Sequence, residues 1–413
     1  MSLAPQTSSG AAARAGPWRW AMLGGVSMIY YAFGLTMASM APLVHAVSRD
    51  LGMDNAEMGL VLGAWALVYI FTAVPCGALL DRIGPRRGLL IATTVIAVSQ
   101  VMRGAAEGPV SLFLAVAVFG LGGPLVSTGA PKVISQWFRG ADRGLAIGVY
   151  FTGNTLGVIT ALTLTNSVMV PLMEGDWRLA LYVYAAVTFL AGVAWFVLAG
   201  HPLSRAMEKH EADTRTGTSL EGFLALIRRP TVQIIIVMSV GILFYNHSMN
   251  NWLPEILRTG GMTAAEAGYW AAIPVMVGIA AALTIPRLAT PDKRFPILAV
   301  LICCAGAATL LIAYGGPGAT TAGLLLSGLA RGTLSSIAVL TLMDSEGGRS
   351  GNVGQASGLY FSAGEIGGML GPMTVGLVSN LTGGFTAALL ILTVDTIILL
   401  MLTVGMWRIT RRR

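Results

Sequence analysis

Among the ionisable residues inside long apolar runs of this sequence are His247 in 232–253, Arg331 in 320–343 and Glu365 in 353–381. A charge inside hydrocarbon is costly unless paired or solvated, so residues of this kind mark binding or ion pathways. A guanidinium grips a carboxylate or similar planar anion through two parallel hydrogen bonds. A buried carboxylate suits reversible protonation. His247 stands in a polar cluster with Asn246, Ser248, Asn250 and Asn251. His247 and Asn251 are four apart and share one helix face. Amides cost free energy in an apolar medium unless satisfied, which favours a cavity lining; polar glue between helices is the alternative. Arg331, His247, Asn250 and Asn251 are therefore expected to bind a small anionic solute, with Tyr30, Tyr31 and Asn154 as further contacts. Glu365 is expected to couple that solute to protons, by exchanging Arg331 between itself and the anion; a fixed Arg331–Glu365 ion pair is the alternative. Lys132, near a helix end, can snorkel to the interface. Asp395 is expected to bond locally to Thr393 or Thr396.

Such residues need a scaffold that crosses a bilayer. Of 413 residues, 55% are hydrophobic and 11% charged, against about 25% charged in a soluble domain. That excludes a soluble enzyme, a disordered chain, a nucleic-acid-binding domain and a disulfide scaffold. A crossing helix needs about 20 apolar residues. Runs at 20–44, 57–80, 88–105, 110–136, 144–168 and 179–199, then 232–253, 265–288, 295–314, 320–343, 353–381 and 385–407, supply twelve. The expected fold is an all-α membrane protein of two pseudo-symmetric six-helix bundles, 18–200 and 230–407. A disordered N-terminus (1–17), a cytoplasmic linker (201–229) and a basic tail (408–413) complete the chain.

Charge sets the orientation. With the N-terminus inside, inside segments hold 20 of the 26 Lys and Arg, and outside loops hold Arg49, Arg103, Arg178 and Arg258. This asymmetry predicts both termini in the cytoplasm, and explains the net charge of +7 without an acidic or nucleic-acid partner. Cys76, Cys303 and Cys304 lie in apolar runs and read as small core residues. The histidines are scattered, so neither metal nor cofactor is expected.

The halves repeat. Gly52-Met53-Asp54-Asn55-Ala56-Glu57 matches Gly261-Met262-Thr263-Ala264-Ala265-Glu266, each opening a helix with a capping box. Gly148-Val149-Tyr150-Phe151-Thr152 matches Gly358-Leu359-Tyr360-Phe361-Ser362. The offsets are 209 and 210. Pro42 and Pro254 are expected to close the first helix of each half. Parallel repeats with a site between them near the midplane characterise one class of secondary transporters.

After the second run comes Gly77-Ala78-Leu79-Leu80-Asp81-Arg82-Ile83-Gly84-Pro85-Arg86-Arg87. It resembles the G-x-x-x-D-R-x-G-x-R-R signature of the major facilitator superfamily. Trp137-Phe138-Arg139-Gly140-Ala141-Asp142-Arg143-Gly144 resembles the same superfamily's link between helices four and five. Asn251-Trp252-Leu253-Pro254-Glu255 and Ala265-Glu266-Ala267-Gly268 are similar to its cyanate-permease and nitroimidazole-exporter group. The similarity to that group is confined to the second half, and the superfamily resemblance covers about the whole chain. It implies alternating access, a cavity lined by helices one, four, seven and ten, and a cytoplasmic gate. Gly77 would let helices approach, Gly84 would turn the chain, and Asp81 would pair with basic groups across the cytoplasmic seam; Arg82, Arg86 and Arg87 complete the expected gate.

The function expected is secondary transport of a small organic anion, possible proton symport included, by a monomer in the cytoplasmic membrane. An exporter of a neutral or cationic compound is the first alternative and a non-transporting membrane sensor the second. No nucleophile motif or nucleotide loop supports catalysis or ATP drive.

Overall fold

The computed structural model describes residues 16–205, 230–344 and 353–411. Most of the expected N-terminal and linker segments, and Arg349, lie outside the described residues. Among the described residues the chain forms twelve helices of membrane-spanning length. They are α1 (Trp18–Leu51), α2 and α3 (55–83 and 85–104), α4 (Pro109–Trp137), α5 (Gly140–Leu164), α6 (Trp177–Leu198), α7 (Pro230–Thr259), α8 (Ala264–Leu288), α9 (Arg294–Tyr314), α10 (Pro317–Asp344), α11 (Val353–Thr382) and α12 (Thr386–Arg411). Helices α2 and α3 form one stretch, Asn55–Gly104, broken at Gly84. Gly84 has φ 78°, a conformation that only glycine adopts at low cost. The expected turn is therefore present.

The repeat survives at atomic detail. Asp54 accepts from the Glu57 amide at 2.8 Å while Glu57 accepts from the Asp54 amide at 3.1 Å. Thr263 and Glu266 exchange the same bonds at 3.3 and 2.8 Å. Helices pair in register: α1 with α5, α2 and α3 with α4, and α3 with α6 in the first bundle; α7 with α11, α8 with α10, and α9 with α12 in the second. Gly157 packs on the Tyr31 carbonyl, and its counterpart Gly367 packs on the Val240 carbonyl. Glycine at such points lets two backbones approach, which is how helices associate without a hydrophobic drive between them.

The bundles meet at the Asp54 end. Gly59 and Gly63 of α2 lie against Pro372 and Met369 of α11, and Gly268 of α8 against Leu162 of α5. Asn380 donates to Asp54 at 3.1 Å, and Asn166 to the carbonyls of Pro42 (2.7 Å) and Ala264 (3.4 Å).

The α-helical turns of α1 end at Ala38, and Pro42 stands in the 3-10 turn Ala41–Leu43 that follows, after which the rod continues to Leu51. Two local expectations need correction. Pro254 lies inside α7. Proline is tolerated within membrane helices because neighbours and side chains satisfy the freed carbonyl. Gly77 faces open space, with nothing within 4 Å of a Cβ built on it, so it mediates no close helix approach here.

Candidate functional site

A cavity of about 20 Å³ lies between the bundles in this conformation, room for a water molecule and well below the ~300–1,000 Å³ usual for small-molecule sites. Trp65 of α2 and Leu162 of α5 line it from the first bundle; His247, Asn250 and Asn251 of α7 and Arg331 of α10 line it from the second. Among the described residues no α4 side chain lines it, unlike the set the resemblance implies. Closure at the Asp54 end brings α2, α5 and α8 around the space instead.

Arg331 stands at the middle of α10. Its Nη1 is buried and has no hydrogen-bond partner among the described residues. A guanidinium held in a cavity with an open donor is an anion receptor in waiting. Asn251 Nδ2 donates to the His247 carbonyl one turn back at 2.8 Å, which orients its amide. The His247 ring stacks on Trp65 of the other bundle, with centroids 5.2 Å apart and planes 26° apart.

Glu365 is buried, with 7% of its surface exposed. The Arg331–Glu365 ion pair expected from sequence is absent among the described residues. The acid faces α7 instead, where Glu365 Oε2 stands 3.8 Å from His247 Nδ1. Nearness along the chain chose Arg331; helix packing chose His247.

The remaining expected contacts lie elsewhere. Tyr30 is buried in an aromatic cluster between α1 and α5, edge-on to Tyr150 at 4.6 Å. Tyr31 offers its carbonyl to Gly157. Asn154 lies against Gly34 of α1, its buried Oδ1 unpartnered among the described residues. None of the three lines the cavity in this conformation.

In the gate motif, Asp81 forms an ion pair with Lys132 of α4 at 2.7 Å. That pair lies within the first bundle and joins α2 to α4. Lys132 thus reaches a partner rather than only the interface. Arg86 donates to the Phe196 carbonyl at 3.1 Å and lies over the Phe196 ring at 4.0 Å, tying the turn to α6. Arg82 and Arg87 are exposed.

Two features escaped the sequence reading. Trp65 lines the cavity, yet a tryptophan in an apolar run carries no signal of its own. Arg103, assigned to an outside loop, is 2% exposed and donates to the Thr36 carbonyl at 3.1 Å and to Ser39 Oγ at 3.3 Å. Hydropathy cannot separate a helix end from a loop when an arginine stands there. Asp395 does not use its neighbouring threonines: Thr393 pairs with Thr309 at 2.8 Å and Thr396 donates to the Thr393 carbonyl at 2.6 Å. Its Oδ1 lies against Gly241 of α7, and its Oδ2 has no partner among the described residues.

Comparison with known proteins agrees with this architecture. The chain is 26% identical over 305 residues to the "Probable L-galactonate transporter" of Escherichia coli (strain K12), covering 69% of this chain and 66% of that one. It is 23% identical over 396 residues to the D-galactonate transporter of Escherichia coli O6:H1, covering 85% and 87%. It is 24% identical over 383 residues to a quinolone resistance transporter of Acinetobacter baumannii, covering 86% of each. Among solved structures, a mutant of the nucleoside transporter NupG superposes with a TM-score of 0.78 at 17% identity, over 93% of this chain and 99% of that one. The family description of the Major Facilitator Superfamily matches residues 22–372, and with twelve helices in two repeated bundles around a shared cavity, the chain belongs to that superfamily.

Proposed function

We propose that this membrane transporter carries a small hydroxylated carboxylate across the cytoplasmic membrane by alternating access, with both termini inside. The observation that carries the reading is Arg331: a guanidinium facing the cavity with its buried Nη1 unbonded. A bound carboxylate would complete its hydrogen bonds. Asn250 and Asn251 stand beside it with amide groups suited to hydroxyls. The sugar-acid carriers among the relatives support this substrate class. Glu365 is the proposed proton carrier, which would make the cycle a proton symport. Tyr30, Tyr31 and Asn154 would contact substrate only after α1 and α5 rearrange.

The test is binding of D-galactonate to purified protein by calorimetry, beside D-galactose, which lacks the carboxylate. Binding of the acid alone supports the reading. Arg331→Ala should weaken it by the about 1.5–3 kcal/mol of a charge-assisted hydrogen bond, roughly tenfold to 150-fold in Kd. Equal binding of both sugars, or of D-galactonate by Arg331→Ala, would overturn it. The quinolone relative motivates a second reading, export of an organic drug, and a fluoroquinolone that displaces nothing from the cavity would count against it.

A further inference from the structure

His247 Nδ1 and Glu365 Oε2 are both buried and face each other at 3.8 Å, and neither atom has a hydrogen-bond partner among the described residues. An N–H···O bond runs about 2.7–3.2 Å, so the two atoms have approached without bonding. Buried polar atoms left in this state are rare and call for a reason. Gly368 borders the gap: a Cβ there would stand 2.6 Å from each of the two atoms. Any other residue at 368 would force the ring or the carboxyl away.

The repeat shows that this junction is an addition. At offsets of 209 and 210, His247, Glu365 and Gly368 correspond to Ala38, Thr155 and Val158. The first bundle carries two apolar side chains and a threonine at the positions where the second carries an imidazole, a carboxyl and a glycine. Packing of α7 on α11 therefore does not require the polar pair, because α1 packs on α5 without it.

The surroundings hold few other charges. From α2, Tyr69 lies within electrostatic reach of Glu365, and its hydroxyl is bonded to Ser127 at 2.7 Å. From α10, Arg331 lies within reach of His247. From α12, Asp395 faces Gly241, further along α7. From the first bundle, Trp65 covers the imidazole face.

We infer that His247, Glu365 and Gly368 form a proton-binding site of the second bundle, covered by Trp65 of the first, and that His247 transmits the arrival of an anion at Arg331 to Glu365. Only the last clause rests on the proposed anion reading. A proton taken from water binds between Nδ1 and Oε2 and closes the gap as a hydrogen bond. An anion on Arg331 cancels the positive charge nearest the imidazole, which strengthens proton binding; by linkage, the proton strengthens anion binding to the same extent. One proton with one monovalent anion makes the loaded site electrically equal to the empty one. Because the cover belongs to the opposite bundle, separation of the bundles exposes the pair.

Trp65 makes the site observable without any substrate. An imidazolium stacked on an indole engages its π face and quenches its emission. The emission of Trp65 is taken as wild type minus Trp65→Phe, in purified full-length protein, across about pH 4–9, which brackets the ordinary His range. The expected result is a single titration, absent in His247→Gln and displaced in both Glu365→Gln and Gly368→Ala. A titration that persists in His247→Gln, or that Glu365→Gln and Gly368→Ala both leave in place, would overturn the site. Circular dichroism of each variant separates these outcomes from misfolding, and the isosteric Glu365→Gln decides if Gly368→Ala does not fold. D-galactonate is then added. A wild-type titration that moves toward higher pH, with no movement in Arg331→Ala, supports transmission. A titrating site with no response to D-galactonate would overturn the transmission clause and count against the anion reading while leaving the proton site standing.

Discussion

Arg103 and Arg331 are both buried guanidiniums, and their surroundings assign them different work. Arg103 donates through Nη1 to Thr36 and Ser39 of α1 and lies 5.5 Å over Phe119, and its Nε, unbonded among the described residues, does not line the cavity. Arg331 keeps a buried donor unbonded toward a cavity. Removing the first should lower stability; removing the second should lower affinity. We expect Arg103→Met to destabilise the protein by about 1.5–3 kcal/mol, the range for hydrogen bonds to a charged group, with a lower melting temperature in nanodiscs and D-galactonate affinity close to wild type. Arg331→Met should show the reverse pattern. If both variants lose affinity equally, Arg103 does more than fasten α1. The sequence made Arg331 legible because a charge at the centre of an apolar run has few structural excuses. It hid Arg103 at a run's edge, and it hid Trp65 among residues whose type fits lipid and core equally well. The partner of Glu365 was hidden for another reason: its neighbour comes from α7, more than a hundred residues away in the chain, and only helix packing reveals it.

At the scale of elements, local chemistry was the most legible part. The capping boxes at Asp54 and Thr263 announce themselves as an acceptor followed three residues later by glutamate, and both are formed. Pro254 misled because the effect of a proline in a membrane helix depends on neighbours rather than on the chain alone. At the turn between α2 and α3, sequence pattern and geometry agree at Gly84. Asp81 and Lys132 join α2 to α4, so the motif secures a corner of one bundle. An ion pair with Asp81 this exposed adds at most about 1 kcal/mol, and its loss should leave stability nearly unchanged. A role in transport would appear as a rate. Asp81→Asn and Lys132→Ala should each slow uptake into proteoliposomes, and the double variant should lose less than the sum of the two singles, because both changes break the same ion pair. Additive losses would mean that Asp81 acts through a different partner.

For the whole molecule, the seam at the Asp54 end decides which side the cavity faces. Two sets of backbone contacts close it: α2 on α11 through Gly59 and Gly63, and α5 on α8 through Gly268. Alternating access requires that these contacts separate. A leucine at position 63 would meet the Met369 carbonyl 2.7 Å from its Cβ, and backbone cannot step aside as a side chain does. Gly63→Leu should therefore shift the population toward the state open at the Asp54 end. Charge asymmetry predicts that this end lies outside the cell. The two statements are tested together in a chain whose Cys76, Cys303 and Cys304 are replaced by serine and Asn250 by cysteine. A membrane-impermeant maleimide added to intact cells should label position 250 faster in the Gly63→Leu background than without it. A single cysteine at Glu107, in the α3–α4 loop, gives the reference for an outside position, and one at Arg139, in the α4–α5 loop, should label only after permeabilisation. Labelling of position 139 from outside would invert the topology. Correct labelling of both loops, with position 250 no faster in Gly63→Leu, would instead show that the α2–α11 contact is not the one that opens.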